Sequence, residues 1–161
     1  MVKKLTAIEK AIKAELFEIE FYEKILKTTT TPLSISIFER LAYEEKIHHD
    51  NLITLYEEAK RNGRLPDSSS EIFNGANIQY LMESLMLNAA DRYTISEEDL
   101  QNIGKSLALE EKVVCLYERL SDQESDPGTR ALFELFVDLG HRHCQFLKDT
   151  KEFVIQAGYV E

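Results

Sequence analysis

The sequence predicts an all-α protein, an antiparallel four-helix bundle made of two repeated helical hairpins joined by a long crossover connection. Three observations carry this. Apolar residues recur at three- and four-residue spacing through long segments. The 3 prolines and 6 glycines fall mostly between those segments. The chain also superposes on itself without a gap when shifted by 95 positions, laying Tyr22-Glu23-Lys24-Ile25 on Tyr117-Glu118-Arg119-Leu120 and Phe38-Glu39 on Phe133-Glu134.

The first helix is expected to start at Thr6, because Thr6-Ala7-Ile8-Glu9 reads as a capping box, and to end near the β-branched run Thr28 to Thr31. Pro32 suits the first turn of the second helix, whose apolar stripe runs through Phe38, Leu41, Ala42, Leu52, Leu55 and Tyr56 to a stop at Asn62-Gly63. A connection from about Asn62 to Ile95 follows. It is too long for a bundle turn and includes an exposed loop at Asp67 to Ser70 and a helical stretch from Ile78 to about Asp91. Ser96-Glu97-Glu98-Asp99 opens the third helix, and Asp126-Pro127 opens the fourth, which runs to about Phe153.

A chain of 161 residues fits one domain, read as spanning 1–161. The 29 acidic against 19 basic residues, net −10, argue against a nucleic-acid partner and against an anionic membrane surface. Two distant cysteines, Cys115 and Cys144, without a Cys-x-x-Cys pair, exclude a zinc ribbon, a four-cysteine iron site and a thioredoxin-like motif. With no signal-peptide pattern and no apolar run near 18 residues, the expectation is a soluble, cytoplasmic protein.

The inward stripe of the first helix reads Ile8, Ala11, Ile12, Glu15, Glu18, Ile19, Tyr22 and Ile25, which sets carboxylates among apolar neighbours. The 95-position shift carries Glu15 onto Glu110 and His48 onto His143. Glu45 and His48 lie one turn apart in line with Leu41 and Leu52, so both can bind one ion. Buried carboxylates need a counter-charge, and no Lys or Arg lies on these stripes. A metal fits that need. Oxygen ligands with one imidazole per half suit iron or manganese.

The arrangement Glu15…Tyr22, Glu45-x-x-His48, Glu110…Tyr117 and then His143 resembles the ferritin-like di-iron carboxylate proteins, most closely the rubrerythrin and erythrin branch, over nearly the whole chain. Its most specific parts are Leu41-Ala42-Tyr43-Glu44-Glu45-Lys46-Ile47-His48 and the twice-used Glu-x6-Tyr. The resemblance implies a ferritin-like bundle with two irons held by Glu15, Glu45, His48, Glu110 and His143; one ion, or Mn or Zn, is the alternative loading. It implies oxidoreductase chemistry of peroxidase or ferroxidase type on hydrogen peroxide or dioxygen. With no second iron centre of its own, the chain would need an external electron-donor protein. A homodimer is also expected, through an apolar surface at Tyr80, Leu81, Met82, Leu85 and Met86.

One departure stands out. The family's sixth ligand, three residues before His143, is a carboxylate, and Gly140 stands there. Glu18 is the preferred compensator, one turn beyond Glu15 and matched to Val113 by the repeat. Asp138-x-x-His141 has the right spacing but would require helix four to rotate, and an open coordination position is the third possibility. A metal-binding or interaction module with a degenerate, non-turnover site is the alternative function. Tyr22 and Tyr117 are expected to orient carboxylates of the opposite hairpin. Cys115 and Cys144 are read as packing residues, His49 and His141 as exposed, and Glu44 and Glu111 as part of a solvated face.

Overall fold

The structure, a computed structural model, describes residues 1–66 and 94–160. These form four helices: α1 (Val2–Leu26), α2 (Pro32–Asn62), α3 (Glu97–Gln123) and α4 (Pro127–Gln156). Among the described residues there is no strand, only an isolated parallel bridge between Ile95 and Val160. Helix α1 packs on α2 and α3 on α4, and the two hairpins meet through α1 and α3. The all-α four-helix architecture is therefore as expected. Most of the crossover, with the loop at Asp67 to Ser70, the helix at Ile78 to Asp91 and the apolar surface at Tyr80 to Met86, lies outside the described residues.

Local signals set most of the helix ends. Thr31 is extended before Pro32, and α2 stops at Gly63, whose φ of 72° belongs to the left-handed region that glycine enters without strain. The Ser96 side chain accepts from the Asp99 amide at 3.0 Å, and the Asp126 carboxylate accepts from the Thr129 amide at 2.9 Å. The start of α1 differs from the capping-box expectation. The helix begins at Val2, and the Thr6 hydroxyl donates back to the Val2 carbonyl at 3.0 Å. Tertiary contacts hold the extra turn, since Leu5 packs on the core and Lys4 pairs with Asp126 at 2.8 Å. Helix α4 runs past Phe153 to Gln156 because Val154 is fully buried beside Ile95.

Each helix carries two apolar stretches separated by a polar one. At one end of the bundle Tyr22, Ile25, Ile37, Phe38, Leu41, Ile103, Phe146 and Leu147 form a cluster. At the other, Ile8, Ala11, Leu52, Leu55, Leu120, Leu132, Phe133 and Phe136 form a second. Each large side chain buried in these clusters contributes about 1.5–3 kcal/mol, which offsets the cost of the charged layer between them. That layer holds Glu15 and Glu18 of α1, Glu44, Glu45 and His48 of α2, Glu110 of α3 and His143 of α4, all buried.

Candidate metal centre

Helical periodicity delivers these side chains to one place. Glu15 and Glu18 are one turn apart on α1, as are Glu45 and His48 on α2, so each pair shares a helix face. The six residues singled out from sequence, Glu15, Glu18, Glu45, His48, Glu110 and His143, are at most 4% exposed and line one cavity of about 10 Å³. That volume is close to the space of one water molecule.

Within the layer, donor atoms gather into two groups that share Glu45: Glu15, Glu45 and His48, and Glu45, Glu110 and His143. The His48 Nδ1 lies 2.9 Å from Glu45 Oε2 and 3.3 Å from Glu15 Oε2. The His143 Nδ1 lies 2.7 Å from Glu45 Oε1 and 3.4 Å from Glu110 Oε1. The two imidazoles stack with centroids 5.8 Å apart. Each histidine thus presents its Nδ1 to carboxylates, and Glu45 offers one oxygen to each half.

Tyrosines cross between the hairpins. The Tyr22 hydroxyl donates to Glu110 Oε1 at 2.5 Å, and the Tyr117 hydroxyl donates to Glu15. Both contacts match the expected orienting role. Burial and then the neighbouring carboxylates, Glu110 for Tyr22 and Glu15 for Tyr117, push both phenols well above their usual range. They remain protonated donors.

The carboxylates divide by environment. Burial, followed by the charge of Glu45, pushes Glu15 up to about 8. Burial and the charges of Glu45, Glu110 and Glu15 push Glu18 well above the carboxylate range. Burial also acts on Glu45, but His143 and His48 outweigh it and hold Glu45 below that range. Burial disfavours charge on His48, yet hydrogen bonding to Glu15 and Glu45 raises it to about 10. His143 is raised in the same way, its burial overcome chiefly by the charges of Glu45 and Glu110. In the protein without metal, protons neutralise this layer.

Several expectations need correction. Glu44, assigned to the solvated face, is 2% exposed; its carboxylate accepts from Arg40 Nε at 3.0 Å and lies 2.8 Å from His143 Nε2. The buried face of α2 here is wide enough to take adjacent residues, because it packs on α1 while also meeting His143 of α4. Arg40 one turn earlier was the available signal. Cys115 is exposed rather than packed, whereas Cys144 is buried, and burial pushes its thiol up to about 11. His49 is half-buried, with its Nδ1 3.2 Å from Asp50.

The departure at Gly140 also has a steric content. A Cβ there would stand 2.5 Å from Val114 Cγ2, so α3 and α4 approach too closely for a side chain. Asp138 and His141 are exposed, which removes the rotated-helix repair. Glu18, by contrast, is in the cavity, and its Oε1 is buried with no hydrogen-bond partner. An orphaned buried carboxylate oxygen beside two oxygen-and-nitrogen donor groups is a donor set that a cation would satisfy. The residues fit a metal.

Residues 6–151 match the family model for rubrerythrin. The chain belongs to the rubrerythrin family. No curated protein and no solved structure matches it. The rubrerythrin family suggests a di-iron site, and the two donor groups could hold metal at the centre of this bundle. Among the described residues no helix is long and apolar enough to cross a membrane.

Proposed function

We propose that this rubrerythrin-family chain binds two iron ions between its hairpins and reduces hydrogen peroxide or, with dioxygen, oxidises ferrous iron. The observation that carries the reading is the pair of three-donor groups sharing Glu45, with the orphaned Glu18 oxygen beside them. Glu15, Glu45 and His48 would hold one ion, and Glu45, Glu110 and His143 the other, with Glu18 supplementing the set where Gly140 offers nothing. Bound iron would supply one-electron redox chemistry and Lewis acidity.

The chain's own groups do the rest. Tyr22 and Tyr117 each bind one carboxylate oxygen across the bundle and thereby orient Glu110 and Glu15. Glu15, raised to about 8 by burial in the metal-free state, would hold a proton that a bound cation would displace, since metal and proton compete for one oxygen. The apolar clusters on either side exclude bulk water, and the small cavity favours an oxidant of a few atoms. Peroxide reduction consumes electrons and protons in equal number. In this reading an external donor protein supplies those electrons, since Cys115 and Cys144 are free and far apart in the sequence of this bundle. A cytoplasmic homodimer completes the reading.

The test is elemental analysis after anaerobic loading with ferrous iron, followed by absorption after peroxide. About two irons per chain and a ferric near-ultraviolet band are expected; one ion or none, without the band, overturns turnover. A second reading, a metal-binding module without turnover, is favoured by one observation, the contact of Gly140 with Val114 that denies one half a carboxylate. It predicts metal uptake with no spectral response.

A further inference from the structure

We infer that the outer face of α1 and α2 docks a second copy of this chain, with α1 running antiparallel to its mate about a twofold axis level with Leu16 and Phe17. The inference deepens the homodimer reading above by assigning it a face, and it needs no metal. Among the described residues the exposed large apolar side chains are Met1, Val2, Leu16, Phe17, Tyr43, Ile53 and Ile155. Met1, Val2 and Ile155 stand at the first turn of α1 and the last turn of α4, whereas the other four lie within α1 and α2. The 95-position shift lays Leu16, Phe17, Tyr43 and Ile53 on Glu111, Lys112, Asp138 and Lys148. The same places in the same fold are thus charged on one hairpin and apolar on the other, so folding does not require the apolar residues.

The four share one face. Glu111 and Lys148 meet across α3 and α4 at 3.6 Å, and Glu23 meets Lys46 across α1 and α2 at 2.8 Å, two turns along from Leu16 and Ile53. Leu16 and Ile53 therefore flank the seam between α1 and α2. Phe17 and Tyr43, each more than half exposed, stand outward on either side of it. Helices of 25 and 31 residues laid side by side present a face of about 40 by 20 Å, roughly the 800 Å² that each partner gives to a stable interface.

Charge selects the occupant. Lys13 stands three residues before Leu16 and Glu20 three after Phe17, while Glu9 and Lys24 stand seven before and seven after. All four are exposed. Reversing α1 about the point between Leu16 and Phe17 sets Lys13 against the partner's Glu20 and Glu9 against the partner's Lys24, each contact occurring twice. A parallel pairing would set like charge against like. Leu16, Phe17 and Ile53 then come to lie near their own counterparts at the centre. On α3 the positions matching Lys13 and Glu20 hold Ala108 and Cys115, so the charge pattern, like the apolar one, belongs to the first hairpin.

The test is sedimentation equilibrium of the full chain, with circular dichroism as the check on folding. Wild type should be a dimer. Leu16→Glu combined with Phe17→Lys installs the residues that α3 itself carries. It should keep the helical signal and raise the dimer dissociation constant at least about 100-fold, since a twofold interface takes each change twice. Lys13→Glu should raise it about 10-fold, and adding Glu20→Lys should return it to within about a factor of three of wild type. This charge exchange decides the matter where the apolar variant does not fold. A dissociation constant unmoved by the apolar variant overturns the inference and leaves the homodimer reading standing on another face, as does a charge exchange that restores nothing. A wild type that stays monomeric up to millimolar concentration overturns both.

Discussion

The two hairpins descend from one pattern but carry unequal loads. Helices α1 and α2 bring Glu15, Glu18, Glu44, Glu45 and His48 to the buried layer, whereas α3 and α4 bring only Glu110 and His143. At the positions matching Glu18, Glu44 and Glu45, the second hairpin has Val113, Leu139 and Gly140. The first hairpin has become the donor half and the second has become a closely packed wall against it. A duplicated site tolerates this because one carboxylate, Glu45, reaches both imidazoles.

The largest effect should come from breaking that shared residue. Glu45→Ala is expected to abolish binding at both donor groups, while His48→Ala should remove only one metal equivalent; elemental analysis of the two variants reads the difference. Equal losses would mean that Glu45 is not shared. Restoring symmetry should fail next. Gly140→Glu places a Cβ against Val114 and should cost about 1–3 kcal/mol, a fall of roughly 3–10 °C in Tm. Combining it with Val114→Ala should recover most of the stability and raise metal occupancy.

The pH dependence sharpens the comparison because the raised carboxylates, Glu15 and Glu18, lie on α1. Glu15 binds its proton more tightly folded than unfolded, so its contribution to metal-free stability falls as pH rises from the ordinary carboxylate range to about 8. His48, raised to about 10, adds a further decline from near 6.5 upward. Metal-free protein should therefore melt at lower temperature at pH 9 than at pH 6, and metal should bind more tightly at the higher pH. A flat melting profile would show that Glu15 and His48 titrate normally.

Smaller again is Glu18→Gln, which removes an acid that must be kept protonated. It should stabilise the metal-free protein at pH 8 by about 1 kcal/mol, roughly 3 °C, while weakening metal binding. Thermal melts and a zinc titration separate the two effects, and a lower metal-free Tm would count against this account of Glu18.

Much of this was legible in the sequence because periodic signals are local. Apolar spacing, Pro32, Gly63, Ser96 and Asp126 mark helix ends through interactions within a turn. The repeat lays Glu15 on Glu110 and His48 on His143, and helical spacing adds Glu45 one turn before His48. What local pattern does not carry is how two surfaces approach. Thr6 does not cap α1, which starts a turn earlier, where Lys4 pairs with Asp126, the residue that caps α4. The pattern of α2 alone puts Glu44 on a solvated face, whereas the fold sets it against His143 of the other hairpin. Gly140 read as a missing ligand, and only the contact with Val114 shows that it also sets the spacing of α3 and α4.

The tyrosine bonds have a geometric consequence. Tyr22 reaches Glu110 and Tyr117 reaches Glu15, and positions exchanged in this way are what a twofold axis generates. In the repeat's own terms both contacts are one contact, the tyrosine of one hairpin on the first glutamate of its mate. A hairpin paired with its own copy would satisfy the same bond twice, so the interface is self-complementary. Neither half finishes its own hydrogen bonding, and the glutamate of each stays aimed only while the other is in place.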